Sequence, residues 1–304
     1  MNTTKPIAVL GATGAQGAPV AHALLDAGRP VRAIARTEAK LEALAARGAE
    51  TVALDLADAD ALTHALTGVG GAFTHLPFVP VMPLIEAWAT ALGQALVAAQ
   101  VPITVHTASG PVPRAATGVA SFDTKAAADR ILKAVQAPIV FLEPTGYLAN
   151  LSAPFSAPSV VAAGELRYPL PAEHRQAWIS VEDQAAVVLA ALQRPDLAGR
   201  SLRIGVQLTG PELAEGIATA RGLTVRYVPI DPAEFGRALA PMMGAEIGDA
   251  VAADYALLAG RAPMLGLDAD TGASHAELGV EPTPVADWAR AVDWEAAAAI
   301  VAAP

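Results

Sequence analysis

Residues 7–17 read Ile-Ala-Val-Leu-Gly-Ala-Thr-Gly-Ala-Gln-Gly, an apolar strand running straight into three spaced glycines and then a helical stretch. A turn this tight aims backbone N–H groups and the positive end of the following helix at one spot, where a pyrophosphate can sit. Gly11 permits the sharp exit from the strand, Gly14 lets phosphates approach the backbone, and Gly17 lets the helix lie close to the sheet. Ala12, Thr13, Ala15 and Gln16 complete the loop. A glycine triplet alone is weak evidence. Here a strand precedes it, the helix Ala18–Ala27 follows, and Gly28 supplies a stop.

The same alternation continues outward. Apolar runs at Ile7–Leu10, Val31–Ala35, Thr51–Leu54, Ala72–Leu76, Ile103–Thr107 and Ile139–Leu142 read as strands. Helical patterns at Glu38–Arg47, Ala59–Leu66, Leu84–Ala99 and Ser121–Val135 separate them. Continuously apolar strands between helices indicate a parallel sheet covered on both faces. Right-handed crossovers then give an α/β, doubly wound Rossmann domain. We place it at residues 1–146, with 175–207 a candidate to return to it, and a smaller α+β substrate domain at 147–304. Prolines 144, 154, 158, 169 and 171 crowd a segment of little periodicity, as expected for a substrate-facing region. Beyond it we expect a strand at Leu202–Val206 and another at Val225–Pro229. Helices are expected at Pro211–Arg221, Pro232–Leu239, Ile247–Gly260 and Pro284–Ala291. Thr283 with Pro284 reads as a cap and first turn for the last of these.

Composition narrows the function classes. The 304 residues carry a net charge of −10 with no basic cluster, which argues against a nucleic-acid partner. With no cysteine, thiolate catalysis and cysteine-held zinc are excluded, and the six histidines show no ligand spacing, so no metal is expected. Mean hydropathy is +0.40, yet the longest apolar stretches are too short or too broken to span a bilayer. The first residues lack an apolar signal core, so a cytoplasmic address is expected. Oligomeric state is not legible.

The candidate site residues fall at strand ends. Arg36 closes the second strand, where an acid would bind adenosine ribose hydroxyls. A guanidinium there, with Lys40 a turn on, suits a 2′-phosphate and so favours NADP(H), with NAD(H) still possible. Asp55, beside Leu56, can accept from an adenine amino group, or Asp55 or Asp58 can cap the next helix. Leu76, Pro77 and Phe78 close the fourth strand where the middle of a dinucleotide would lie, and His75 before them reads as a strand-end histidine. Ser109 is a polar contact or a turn residue. Lys125 sits early in a helix, where many dehydrogenases on this kind of sheet place a tyrosine one turn ahead of the lysine. Both would share one face, but Ser121 holds the tyrosine's place. Pro144, Thr145 and Tyr147 follow the sixth strand at the carboxyl edge, where ligands collect. Tyr147, with Asn150, faces a substrate or packs beneath the second domain, and it is the reserve proton donor beside Lys125.

Taken together, the chain resembles the NmrA-like branch of atypical short-chain dehydrogenases/reductases. The resemblance is carried by Gly11–Gly17, Arg36, Leu54-Asp55, Phe122-Asp123-Thr124-Lys125, Glu143-Pro144-Thr145-Gly146-Tyr147-Leu148-Ala149-Asn150-Leu151 and Trp178-Ile179-Ser180-Val181-Glu182-Asp183. It weakens after about Ala240. It implies that the glycine loop binds pyrophosphate, Arg36 the 2′-phosphate, Asp55 the adenine and Lys125 the nicotinamide ribose, while the segment after the sixth strand holds the nicotinamide end. Glu143 departs from the arginine usual before that proline. Relatives of this kind include NADPH-dependent quinone reductases and non-catalytic redox sensors. The expected function is an NAD(P)H-dependent oxidoreductase passing hydride to a small apolar conjugated acceptor, or else an NADP(H)-sensing regulator.

Overall fold

Aliphatic runs with no polar interruption become the strands of a central sheet in the computed structural model, which describes residues 4–260, 263–267 and 270–300. In chain order they are β1 (Ile7–Leu10), β2 (Val31–Ala35), β3 (Glu50–Ala53), β4 (Gly71–His75), β5 (Thr104–Thr107) and β6 (Ile139–Pro144). Then come β7 (Gly146–Tyr147), β8 (Glu165–Tyr168), β9 (Gln176–Ile179), β10 (Ser201–Ile204), β11 (Val206–Leu208) and β12 (Arg226–Pro229). Seven strands pair in the order β10-β6-β5-β4-β1-β2-β3, every pair parallel. β1 is flanked by β2 and β4, so the winding reverses there and opens a crevice beyond the carboxyl ends. This is the doubly wound Rossmann arrangement that the alternation predicts.

Side chains alternate between two cores. Val9, Val105, Leu142 and Ile204 pack under the helices Gly17–Asp26 and Val181–Ala191. Ala8, Leu10, Ile34 and Phe141 pack under Ala59–Leu66, Met82–Ala98 and Ala120–Ala134. A third core joins β7–β9–β11 and the β8–β12 ribbon to the helices Gly210–Arg221, Pro232–Met243 and Ala245–Ala259. Aromatic rings dominate it: Tyr168 meets Trp178 and Tyr255 edge-on at 5.4 Å, and Phe235 meets Tyr255 at 5.2 Å. The last two helices cross at Gly236 and Gly248, where a Cβ on either would lie 2.5 Å from the other's carbonyl oxygen.

Several local expectations change. The strand expected at Leu202–Val206 splits at Gly205, whose φ of +119° turns the chain out of the main sheet. β10 stays beside β6, and β11 pairs antiparallel with β9. The helix expected at Glu38–Arg47 begins as a 3-10 turn, Glu38–Leu41, before Glu42–Ala46. The proline-rich segment holds more order than its periodicity suggests: the helix Ala157–Ala163 and β8 lie within it. Thr283 does not cap. Its hydroxyl and N–H both donate to Asp183, at 2.7 and 2.9 Å, and the helix starts at Val285 with Pro284 at the cap position.

Candidate functional site

At the crevice, Gly11 turns with φ +68°, and a Cβ there would lie 2.2 Å from His75 Nε2. A Cβ on Gly17 would lie 2.3 Å from the Gly11 carbonyl oxygen, so the helix can press against the strand exit only as glycine. Gly14 is open on its outer side, where a Cβ would meet only Gly11 O at 3.3 Å. Its amide is spent inside the turn, donating to Gly11 O at 2.9 Å. The helix Gly17–Asp26 begins with no side-chain cap and no acid in its first turn. Its positive end is therefore left for an outside anion.

Gly11, Thr13 and Gly14 line a cavity with Ile34, Ala35, Arg36, Leu54, Leu56, His75 and Pro77. Arg36 is exposed at its rim and has no acidic partner among the described residues. His75 Nε2 is buried without a hydrogen-bond partner, and burial holds its imidazole below the usual pKa, hence neutral. An uncapped helix start, an unpaired guanidinium and an orphaned ring nitrogen around one cavity fit a dinucleotide. Gly11–Gly17 would hold its pyrophosphate and Arg36 a phosphate on the ribose.

Pro77 also lines the neighbouring cavity, whose walls include Leu76, Phe78, Ile85, Thr107, Ser109, Ser121 and Lys125. Ser109 is held at φ +57°, and its hydroxyl meets the Gln16 amide at 3.0 Å, joining the glycine loop to the end of β5. Lys125 Nζ lies 4.6 Å from the Phe122 ring centroid and 5.6 Å from that of Phe78. Burial lowers the lysine's pKa, and Asp254, 3.9 Å away, partly offsets this. Asp254 also accepts a hydrogen bond from the Ser121 hydroxyl.

The fold therefore gathers Gly11, Thr13, Gly14, Arg36, Leu56 and Pro77 at one end and Leu76, Phe78, Ser109 and Lys125 at the other. Ala12 is buried, its amide donating to Ile34 O, and Ala15 and Gly17 shape the turn without lining either cavity. Asp55 stays outside both. Its carboxylate accepts from the Ala57 amide at 2.9 Å, while Asp58 caps the helix Ala59–Leu66. Pro144 ends β6 and Thr145 follows it, and neither lines either cavity. Tyr147 donates to Gln184 Oε1 at 2.7 Å, and burial pushes its phenol above the usual range, a poor setting for releasing a proton. Glu143 pairs with Arg203 at 3.2 Å across β6 and β10. Asp254 is a residue that sequence reasoning missed, as are the lining residues Ile34, Ile85 and Thr107. Asp254 is one of three acids in an alanine-rich helix, with Glu246 and Asp249, and no local pattern singles it out. A larger cleft, about 1050 Å³, lies across the helix Ala120–Ala134, is lined by charges of both signs, and takes in no part of the glycine loop, Arg36 or Lys125. Among the described residues there is no metal-holding cluster and no helix long and apolar enough to cross a membrane.

Strand order, glycine turn and crevice define a Rossmann-type α/β protein. The chain belongs to the NmrA-like family, whose model matches residues 3–289. It is 31% identical over 261 residues to an NAD(P)H azoreductase of Xenophilus azovorans, covering 83% of this chain and 86% of that protein. Two solved structures share its fold. An NADPH-dependent quinone oxidoreductase of Escherichia coli superposes with TM-score 0.73 at 24% identity, covering 93% of this chain and 98% of that one. NmrA, described as a negative transcriptional regulator and solved with NAD, gives TM-score 0.77 at 17% identity, covering 97% of this chain and all of that one.

Proposed function

We propose that the protein is an NAD(P)H-dependent reductase, with NADPH preferred, acting on a flat apolar conjugated acceptor such as a quinone or an azo compound. One observation carries the reading: a charged, glycine-lined cavity and an apolar cavity around Lys125 share Pro77 as a common wall. The first suits phosphates and ribose. The second, lined by Leu76, Phe78 and Ile85 beside one ammonium, offers an apolar wall to a nicotinamide. The likeness to an NAD(P)H azoreductase over most of both chains supports the same chemistry.

When bound, a reduced nicotinamide supplies hydride. The protein's share is to bind, orient and exclude water. Arg36 reads the 2′-phosphate, the loop amides hold the pyrophosphate, Lys125 holds the ribose near the nicotinamide, and Phe78 offers an aromatic wall for the acceptor. Steady-state oxidation of NADPH across a panel of quinones and azo dyes tests the reading. Tight calorimetric binding of NADPH with no turnover on any acceptor would reject it. That outcome would favour the second reading, an NADP(H)-sensing regulator, which the serine in place of a phenol at position 121 makes worth holding.

A further inference from the structure

Reduction by hydride leaves an acceptor one proton short, and the wall beside Lys125 offers only weakly acidic hydroxyls, Ser121 with Thr107, Ser109 and Thr124. Such a hydroxyl is far too weak an acid to give up a proton unless it gains another in the same motion. The fold supplies a neighbour for that purpose. The helix Ala245–Ala259 crosses the helix Ala120–Ala134 and brings in Asp254, 133 residues away in sequence. Its Oδ1 is hydrogen-bonded to Ser121 Oγ, and its Oδ2 lies 3.9 Å from Lys125 Nζ. Ser121 and Asp254 are 2% and 8% exposed, so the three groups meet in a setting nearly closed to water, with Ser121 and Lys125 forming part of the cavity wall. Burial pushes the Asp254 carboxyl up and pulls the Lys125 ammonium down, so both are drawn toward their neutral forms. Tyr255, the next residue, is bound instead to Tyr168 in the aromatic core. The helix thus has an anchor that does not involve Asp254.

Building on the reductase reading, we infer that Ser121, Asp254 and Lys125 form a proton relay that replaces the absent phenol. The acceptor takes two electrons and one hydrogen as hydride from a reduced nicotinamide and becomes an anion. In the relay the Ser121–Asp254 hydrogen bond runs the other way, with a protonated Asp254 as donor: the Ser121 O–H bond breaks toward that anion as the Asp254 carboxyl proton passes to the serine oxygen. The Lys125 ammonium holds the carboxylate so formed until water returns its proton, and the net consumption is one solvent proton per turnover. Ser121 is the catalytic group, because it faces the cavity. Asp254 acts through it as a positioning residue.

The test compares the full-length wild type with Ser121→Ala, Asp254→Asn, Asp254→Glu and the double variant Ser121→Ala/Asp254→Asn, using NADPH and the quinone menadione. A relay predicts that each of the first two lowers kcat by about 10²-fold, the scale of general acid catalysis, with KM little changed. The double variant should be no worse than either single one, and Asp254→Glu should recover part of the rate. A second measurement needs neither coenzyme nor turnover: the infrared spectrum of the wild type at neutral pH should show a protonated carboxyl band that Asp254→Asn removes. Unchanged kcat in both single variants, multiplying losses in the double variant, or no such band would overturn the relay while leaving the reductase reading intact. No NADPH oxidation by the wild type would sink the reductase reading itself, and the relay with it.

Discussion

The two ends of the cleft are assembled in different ways. At the Arg36 end every lining residue comes from one stretch, 11–77, in which the four strands β1 to β4 end side by side. At the Lys125 end, residues 76–129 form the wall, but the acid that meets its lysine arrives from the helix Ala245–Ala259. A site built from neighbouring strand ends is constrained by local geometry: glycines where φ is positive or backbones touch, and a charge where the strand stops. A site closed from a distance is constrained only by tertiary packing, and its residues carry no pattern of their own.

That contrast can be broken or sharpened by substitution. Gly17→Ala should have the largest effect, because its Cβ meets backbone that cannot yield, 2.3 Å from Gly11 O. We expect a loss of about 1–3 kcal/mol in stability from overpacking, seen in urea melts. Affinity for both coenzymes should fall about tenfold or more by calorimetry, roughly 1.4 kcal/mol or above. Arg36→Glu should act on one coenzyme only. NADPH should weaken by about tenfold or more relative to NADH, since a charge-assisted hydrogen bond is worth roughly 1.5–3 kcal/mol. Equal losses would mean that the guanidinium does not read a phosphate. Lys125→Met should do the reverse, weakening NADPH and NADH together by several-fold, on the order of 1 kcal/mol for one polar contact, and leaving their ratio alone. A changed ratio would show that the two ends do not act separately.

Glu212→Ala should have the smallest effect and leave coenzyme binding untouched. Glu212 and Thr209 form a reciprocal cap on the helix Gly210–Arg221, worth about 1 kcal/mol. Hydrogen bonds from Arg175 and from the Thr209 amide hold its carboxyl down at about 2, against an ordinary value of 4.5. A carboxyl depressed on folding stabilises above its unfolded pKa and loses that contribution as pH falls. The wild type should therefore lose its margin over the Glu212→Ala variant between about pH 4.5 and pH 2, a window that thermal melts at stepped pH would reveal.

The same contrast explains what the chain discloses when read alone. The strand–Gly11–Gly17–helix unit and the position of Arg36 follow from local rules, and the sheet order follows from apolar runs joined by right-handed crossovers. Contacts over long distances decide the rest. Asp254 is one case. Gly205 is another, since the backbone of Trp178, 2.8 Å from where its Cβ would stand, demands the glycine that breaks the expected strand in two. Thr283 resembles a cap until Asp183, a hundred residues earlier, takes both of its donors. Tyr147 likewise finds its partner at a distance, donating to Gln184 in another element.

The late arrival of β10 bears on how the polypeptide is made. Its only neighbour in the main sheet is β6, with Arg203 set against Glu143 in register. As the chain leaves the ribosome, residues 7–144 emerge with six strands and a bare margin, and the segment that covers it follows more than fifty residues later. A fragment cut after Tyr147 would leave Glu143 without its counter-ion and β6 open to pairing with other nascent copies, so the nucleotide-binding half should be prone to clumping unless the rest of the sequence is joined to it.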